Sequence, residues 1–192
     1  MKKQKNTKQT YKDCFKFLNE SKKYIFLTAG LFVLFALYGY FSNPPIEITN
    51  QILVLLKQMV SKFSSLNVYQ TIWAIFSNNL LVSFLVLILG VFLGIFPLLA
   101  LVSNGFILGF VAKKAIEVDG FIILWKLFPH GIFELPAVLI SIALGIKIGF
   151  ELFKKDKFRH NLKNSLFTFF YIVFPLLIIA AIIEGILVFL VK

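Results

Sequence analysis

Between Asn79 and Ala112 the chain runs for over thirty residues without a charged side chain. That stretch limits what the rest can fold into. As one straight helix it would be roughly 50 Å long, well beyond a hydrocarbon core of ~30 Å. Two passes resolve the excess, and Pro97 is the expected place for the break. A soluble core of this length would need a polar outer face, and the apolar runs of this chain have none.

The composition agrees. Hydrophobic residues make up 59% of 192 residues, and mean hydropathy is +0.87; soluble domains sit near 45–50% apolar. The apolar runs predict an all-α, multi-pass transmembrane helical bundle of about five spans, at about 24–41, 78–96, 98–116, 132–151 and 166–190. Residues 1–23 form a basic tail, and 24–192 form a single transmembrane domain. In the tail, 11-YKDCFKFLNESKKY-24 spaces Phe15 and Leu18 like one face of a helix on the membrane surface, and a disordered tail is the alternative. The first apolar run lacks a small-residue cleavage site and reads as a retained signal-anchor.

Asn43-Pro44-Pro45 ends the first span. The segment 44–77 is expected outside as amphipathic helix. Ile48, Ile52, Leu55, Leu56, Met59, Val60 and Phe63 share one face, while Gln51, Lys57, Gln58, Ser61 and Lys62 fill the other. That apolar face must be covered, by the interface or by a second copy. A second short piece carries Val68, Tyr69, Ile72, Trp73 and Phe76, and its Tyr69 and Trp73 suit the headgroup level. Later, 121-FIILWKLF-128 is too short to cross. It predicts a re-entrant or interfacial half-helix ended by Pro129.

The net charge of +11 invites a nucleic-acid reading, which charge placement excludes. Eight lysines (Lys2, Lys3, Lys5, Lys8, Lys12, Lys16, Lys22, Lys23) precede the first span. Five more basic residues (Lys154, Lys155, Lys157, Arg159, Lys163) lie together before the last. Basic flanks stay cytoplasmic and face anionic lipid, which places the protein in the cell membrane with a cytoplasmic N-terminus. Lys57, Lys62, Lys113, Lys114, Lys126 and Lys192 then fall outside, with Lys113 and Lys114 against the rule. Lys147, about one turn from the inner end of its span, is expected to snorkel.

Two sets of residues inside the spans carry information. Gly90/Gly94, Gly105/Gly109 and Gly145/Gly149 repeat at a spacing that lets helices approach closely, within the chain or in a homo-oligomer. Asn78, Asn79, Asn104, His130, Glu134 and Glu184 are polar where hydrocarbon is expected, and polar groups in lipid must find partners. In 129-PHGIFELPA-137, Pro129 and Gly131 are expected to break the preceding half-helix, which leaves Glu134 and Pro136 in the first turn of the next. His130 and Glu134 then cap the turn and bond to Asn79 or Asn104, or form a proton or cation site. His-x3-Glu supplies two ligands where zinc needs three or four. Lone Cys14 makes neither a disulfide nor a metal cluster. No metal or other cofactor is expected. No H-E-x-x-H, G-x-S-x-G, P-loop or dinucleotide fingerprint occurs, so an enzyme is not expected.

Three stretches together, 78-NNLLVSFLVLILGVFLGIFPLL-99, 104-NGFILG-109 and 129-PHGIFELPAVLISIALGIKIG-149, resemble the stage II sporulation protein M family of integral membrane proteins. The residues matching the pattern are Asn78, Asn79, Asn104, Gly105, Pro129, His130, Gly131 and Glu134. The resemblance implies a multi-pass helical membrane protein without a catalytic domain of its own. The family's namesake acts in spore engulfment, in a membrane complex with peptidoglycan-remodelling enzymes; the wider family occurs in organisms that make no spores. The expected function is therefore a non-enzymatic membrane scaffold or complex subunit. Its partners are the lipid bilayer, other membrane proteins and a possible second copy of itself. The rival is a small-solute or ion transporter that uses His130, Glu134 and Glu184 as a polar path and has a solvated cavity near the membrane midplane.

Overall fold

The computed structural model describes residues 7–64, 66–121 and 123–190; the side chains of 7, 9, 119, 123–130 and 189–190 and of several residues in 56–64 lie outside that description. The described backbone is helical throughout, without strands. Helix α1 (Thr7–Glu20) meets α2 (Lys22–Phe41) at Ser21. Proline at 44 and 45 stops α2, and α3 (Ile46–Ser64) begins directly after them. Helix α4 (Val68–Ile88) opens with a reciprocal capping box. The Gln70 amide N–H donates to Asn67 Oδ1 at 2.9 Å, and the Asn67 N–H donates to Gln70 Oε1 at 3.1 Å.

The break in the long apolar run falls before Pro97, not at it. A 3₁₀ turn (Leu89–Val91) leads into Leu93 and Gly94, with φ of 56° and 73°. Two consecutive left-handed residues reverse the chain, and glycine takes that conformation without a Cβ penalty. Helix α5 (Ile95–Asp119) starts at once. Pro97 falls in its first turn, where a missing N–H leaves no intrahelical bond unmade.

Helix α6 (Ile123–Phe150) corrects a second expectation. It runs unbroken through Pro129, Gly131 and Pro136, so 121–128 is mostly its own first turns rather than a separate half-helix. Each proline removes one N–H from the ladder and leaves the carbonyl four residues earlier without that donor. Glu134 consequently lies inside a helix, not at its start. Val68–Phe76, expected as a separate amphipathic piece, is continuous with α4.

The last span is part of one long rod. Helix α7 (Lys155–Thr168) passes through a π segment (Phe169–Val173) into α8 (Phe174–Leu190). The Phe174 N–H bonds the Phe169 carbonyl, five residues back. Pro175 follows directly, and the widened turn accommodates the ring and the lost donor.

Five segments are long and apolar enough to cross a membrane: Lys22–Phe41, Val68–Val91, Ile95–Val118, Gly131–Phe150 and Lys155–Val188. Their alternating directions put α1, the Leu93–Gly94 turn and the start of α7 on one side, the amino-terminal side. Helix α3 and the α5–α6 turn lie on the far side. Helix α6 is the axis. Every residue from Ser141 to Gly149 is buried. Its Ala137, Leu144 and Ile148 join Leu87, Phe169, Val173 and Leu177 in one apolar cluster, while Ile142 and Ile146 join Leu101 in another.

Glycine sets how closely the helices cross. A Cβ on Gly90 would strike the Gly145 backbone, and one on Gly149 would lie 2.6 Å from the Gly90 carbonyl oxygen. Gly39, Gly105 and Gly109 do the same between α2 and α5, against Phe106, Phe32 and Ala36 backbone. Gly185 of α8 meets Ile72 of α4. All three glycine pairs thus stand at crossings within this chain.

Candidate functional site

The polar residues inside the spans separate into distinct groups. The Asn78 Nδ2 amide donates to Asn79 Oδ1 at 3.3 Å. Asn104 is exposed and donates to the Ala100 carbonyl of its own helix at 2.7 Å; a side chain one turn along can always do this. Among the described residues no hydrogen bond joins Asn79 or Asn104 to Glu134. The side chain of His130 lies outside the described residues.

Glu134 instead meets Glu184. The two carboxyl groups face one another between α6 and α8. An ionised carboxylate only accepts, so a bond between two carboxyl groups requires a proton on one of them. Glu184 Oε2 is buried with no partner among the described residues. The pair lies within about two turns of the far ends of both spans, at the level where Ile72 packs on Gly185. Exposed Tyr69 and Trp73 sit at the neighbouring start of α4, with Trp73 against Phe76 at 6.0 Å between ring centroids.

At the other end of α6, about 20 Å along the axis from Glu134, stands a group whose environment the sequence did not reveal. Lys147 does not snorkel; it is 6% exposed. Its Nζ donates to Ser21 Oγ at 2.8 Å, and Ser21 Oγ in turn donates to the Phe17 carbonyl at 2.7 Å. The ammonium also lies 4.2 Å from the centroid of the Phe17 ring, a cation–π contact. Lys147 thereby ties the central helix to the α1–α2 junction.

Helices α1 and α7 pack together above this lysine. Cys14 and Phe17, rather than Phe15, are the buried face of α1; Phe15 is exposed. Tyr11 meets Tyr171 edge-on at 5.6 Å, and Phe17 meets His160 at 6.3 Å. Burial pushes the Cys14 thiol up from its ordinary value. Asn161 is buried and donates to Glu151 Oε2 at 2.7 Å. Between these elements opens a cleft of about 410 Å³, lined by Glu20, Tyr24, Lys147, Glu151, Asp156 and Lys157, with His160 and Asn161.

The two far-side lysines that conflict with the charge rule are both engaged. Lys113 Nζ donates to the Ser42 carbonyl at 3.0 Å and to Asn43 Oδ1 at 2.6 Å, which closes the C-terminal end of α2. Lys114 pairs with Glu117 at 2.6 Å. Among the described residues no group of three or more His, Cys, Asp or Glu could hold a metal ion.

Fold and site together define a polytopic helical membrane protein organised round a central span with a polar group near each end. Residues 25–188 match the stage II sporulation protein M family, and the chain belongs to that family. It is also similar to the uncharacterized protein MJ0706 of Methanocaldococcus jannaschii, 34% identical over 127 residues. That match covers 62% of this chain and 56% of the relative, so the aligned part spans little more than half the relative's length. No solved structure matches.

Proposed function

We propose that the protein is a non-enzymatic membrane scaffold, or a subunit of a membrane complex, that presents α3 to a partner membrane protein. The observation carrying this reading is the contrast between α3 and the bundle. The glycine crossings are filled by helices of the same chain. Among the described residues, helix α3 is amphipathic, packs extensively on no other helix and leaves Ile46, Ile48, Val54 and Leu55 exposed. It is 19 residues long, about 28 Å, enough for one helix–helix interface. Apolar side chains of an amphipathic helix outside a finished bundle must be covered, and a partner's helix would cover them. The charge rule supports a cytoplasmic N-terminus and α3 on the outer side.

The test is recovery from native membranes at native expression after cross-linking. The reading expects a discrete co-purifying protein or a dimer, lost when Ile48 and Leu55 are both changed to Ser. A strict monomer with no partner would sink it. A transport reading rests on the Glu134–Glu184 pair alone. It requires proteoliposome flux that falls with Glu134→Gln; flux indifferent to that change removes it.

A further inference from the structure

The cleft on the amino-terminal side has no part in the scaffold reading, yet it is the most built polar site in the molecule. Its floor is a lysine that is nearly fully buried. That ammonium has a hydroxyl and a ring face as partners and no carboxylate of the described residues within 4.0 Å. Glu151 and Glu20 act on it only through space; a buried ammonium with no carboxylate in direct contact is costly, and Lys147 has three donors to place. The rim carries both signs, with acids set beside Lys157 and His160. Glu20 and Asp156 are exposed on it and make no ion pair among the described residues. Glu151, deeper, is engaged by Asn161.

This arrangement selects by charge. A simple anion that reached Lys147 would pass Glu20 and Asp156. A simple cation held at the rim would face Lys147 from above. A molecule carrying both signs satisfies both levels. The site also has a lipid-facing side. Tyr24 and Phe150 are in ring contact at 6.5 Å beside the cleft, at the ends of α2 and α6. Phe150 and Phe153 are 64% and 86% exposed there. A tyrosine at a span end, as Tyr24 is, marks the headgroup level, so the cleft opens where headgroups lie. Its volume suits a small polar group with its first linking atoms.

We propose that the cleft binds a zwitterionic phosphate ester with a primary ammonium, its phosphate turned to Lys147 and its ammonium held by Glu20 and Asp156: the chemistry of an ethanolamine phospholipid headgroup. A primary ammonium donates three hydrogen bonds to the carboxylates; a quaternary ammonium donates none. That difference makes the site testable without knowing its native occupant.

The experiment titrates the detergent-purified full chain with ethanolamine, choline and glycerol phospholipids and reads bound lipid by native mass spectrometry. The ethanolamine lipid should bind roughly tenfold more tightly than either other class, the worth of one charge-assisted hydrogen bond. A Glu20→Gln, Asp156→Asn double variant changes only exposed rim groups and should bind all three alike. Free phosphoethanolamine that displaces the lipid shows that the headgroup suffices; failure to displace it while lipid selectivity holds shows that the lipid form is the ligand. Equal binding of all three lipids by wild type, preference for the glycerol lipid, or selectivity that survives in the double variant would each overturn the proposal. If the double variant does not fold, the wild-type selectivity alone decides.

Discussion

The two ends of α6 use polar residues in opposite ways. At the far end, Glu134 meets another acid, and two carboxyl groups can hydrogen-bond only when one of them carries a proton. At the amino-terminal end, Lys147 is seated among groups from α1 and α2 and needs no proton exchange to be held. The backbone differs in the same direction. Among the described residues, a Cβ at Gly131 would meet only Leu135 side-chain atoms at 3.6 and 3.9 Å, an ordinary contact, whereas one at Gly149 would run into the backbone of the Gly90–Gly94 turn. One end is locked by main-chain contact and a buried cation. At the other, among the described residues, α6 itself makes no such main-chain contact. In a bilayer the hydrophobic effect does little to pull helices together, so these local contacts decide which end can loosen.

The sharpest way to break this comparison is a pair of alanines. Gly149→Ala puts a methyl into backbone that cannot move away and should cost about 3 kcal/mol or more. Gly131→Ala should cost nothing and gain about 0.5–1 kcal/mol from lost chain freedom in the unfolded state. Thermal unfolding of detergent-purified protein measures both, and equal effects would end the distinction between the two ends. Next in size is Lys147→Ala, expected to cost about 2–3 kcal/mol as a cavity opens beneath α1. Lys147→Met keeps the volume and sheds a buried charge, so it should cost under about 1.5 kcal/mol. A Met variant as unstable as the Ala variant would mean that the ammonium, not its packing, holds α1.

Glu184→Ala leaves Glu134 facing an empty partner position and should cost about 1–3 kcal/mol. Glu184→Gln retains a donor for Glu134 and should stay within about 1 kcal/mol of wild type. If the two variants unfold together, the acid pair is not a hydrogen-bonded closure. The smallest effect is at Cys14. Its thiol is buried and shifted upward, so in folded protein it should react with a maleimide far more slowly than a free thiol at pH 7. The rate should rise only above the ordinary thiol range near 8.5. Fast labelling at neutral pH in wild type would show that α1 is not seated as described; fast labelling confined to Lys147→Ala would show that the lysine seats it.

The sequence carried the architecture more fully than the sites. Five crossings followed from run length and hydropathy, because a bilayer leaves little choice once an apolar run exceeds its thickness. Proline was over-read. Pro97 and Pro129 were expected to mark breaks, but a proline in a first turn leaves no helical bond unmade, and one inside a packed helix can be carried. The reversal came instead from Leu93–Gly94, where the φ values and not the residue names set the turn. Within the site, Glu134 and Glu184 were singled out as polar in hydrocarbon, yet their pairing is long-range and leaves no local pattern. Lys147 was passed over because a lysine near a span end usually reaches for water. The available signal was its place between Gly145 and Gly149: a residue flanked by close-packing glycines on a central helix has no lipid-facing side to snorkel along.

The central claim, that α3 is a partner-facing element outside a self-sufficient bundle, has a direct test. A photo-cross-linking residue is placed at Leu55 on α3 or at Leu34 on α2, which are 60% and 56% exposed, and each protein is irradiated in native membranes. The account predicts a discrete protein adduct from Leu55 and only lipid adducts from Leu34. Lipid adducts alone from both positions would mean that α3 lies in the membrane interface and binds no partner, and the scaffold reading would fall.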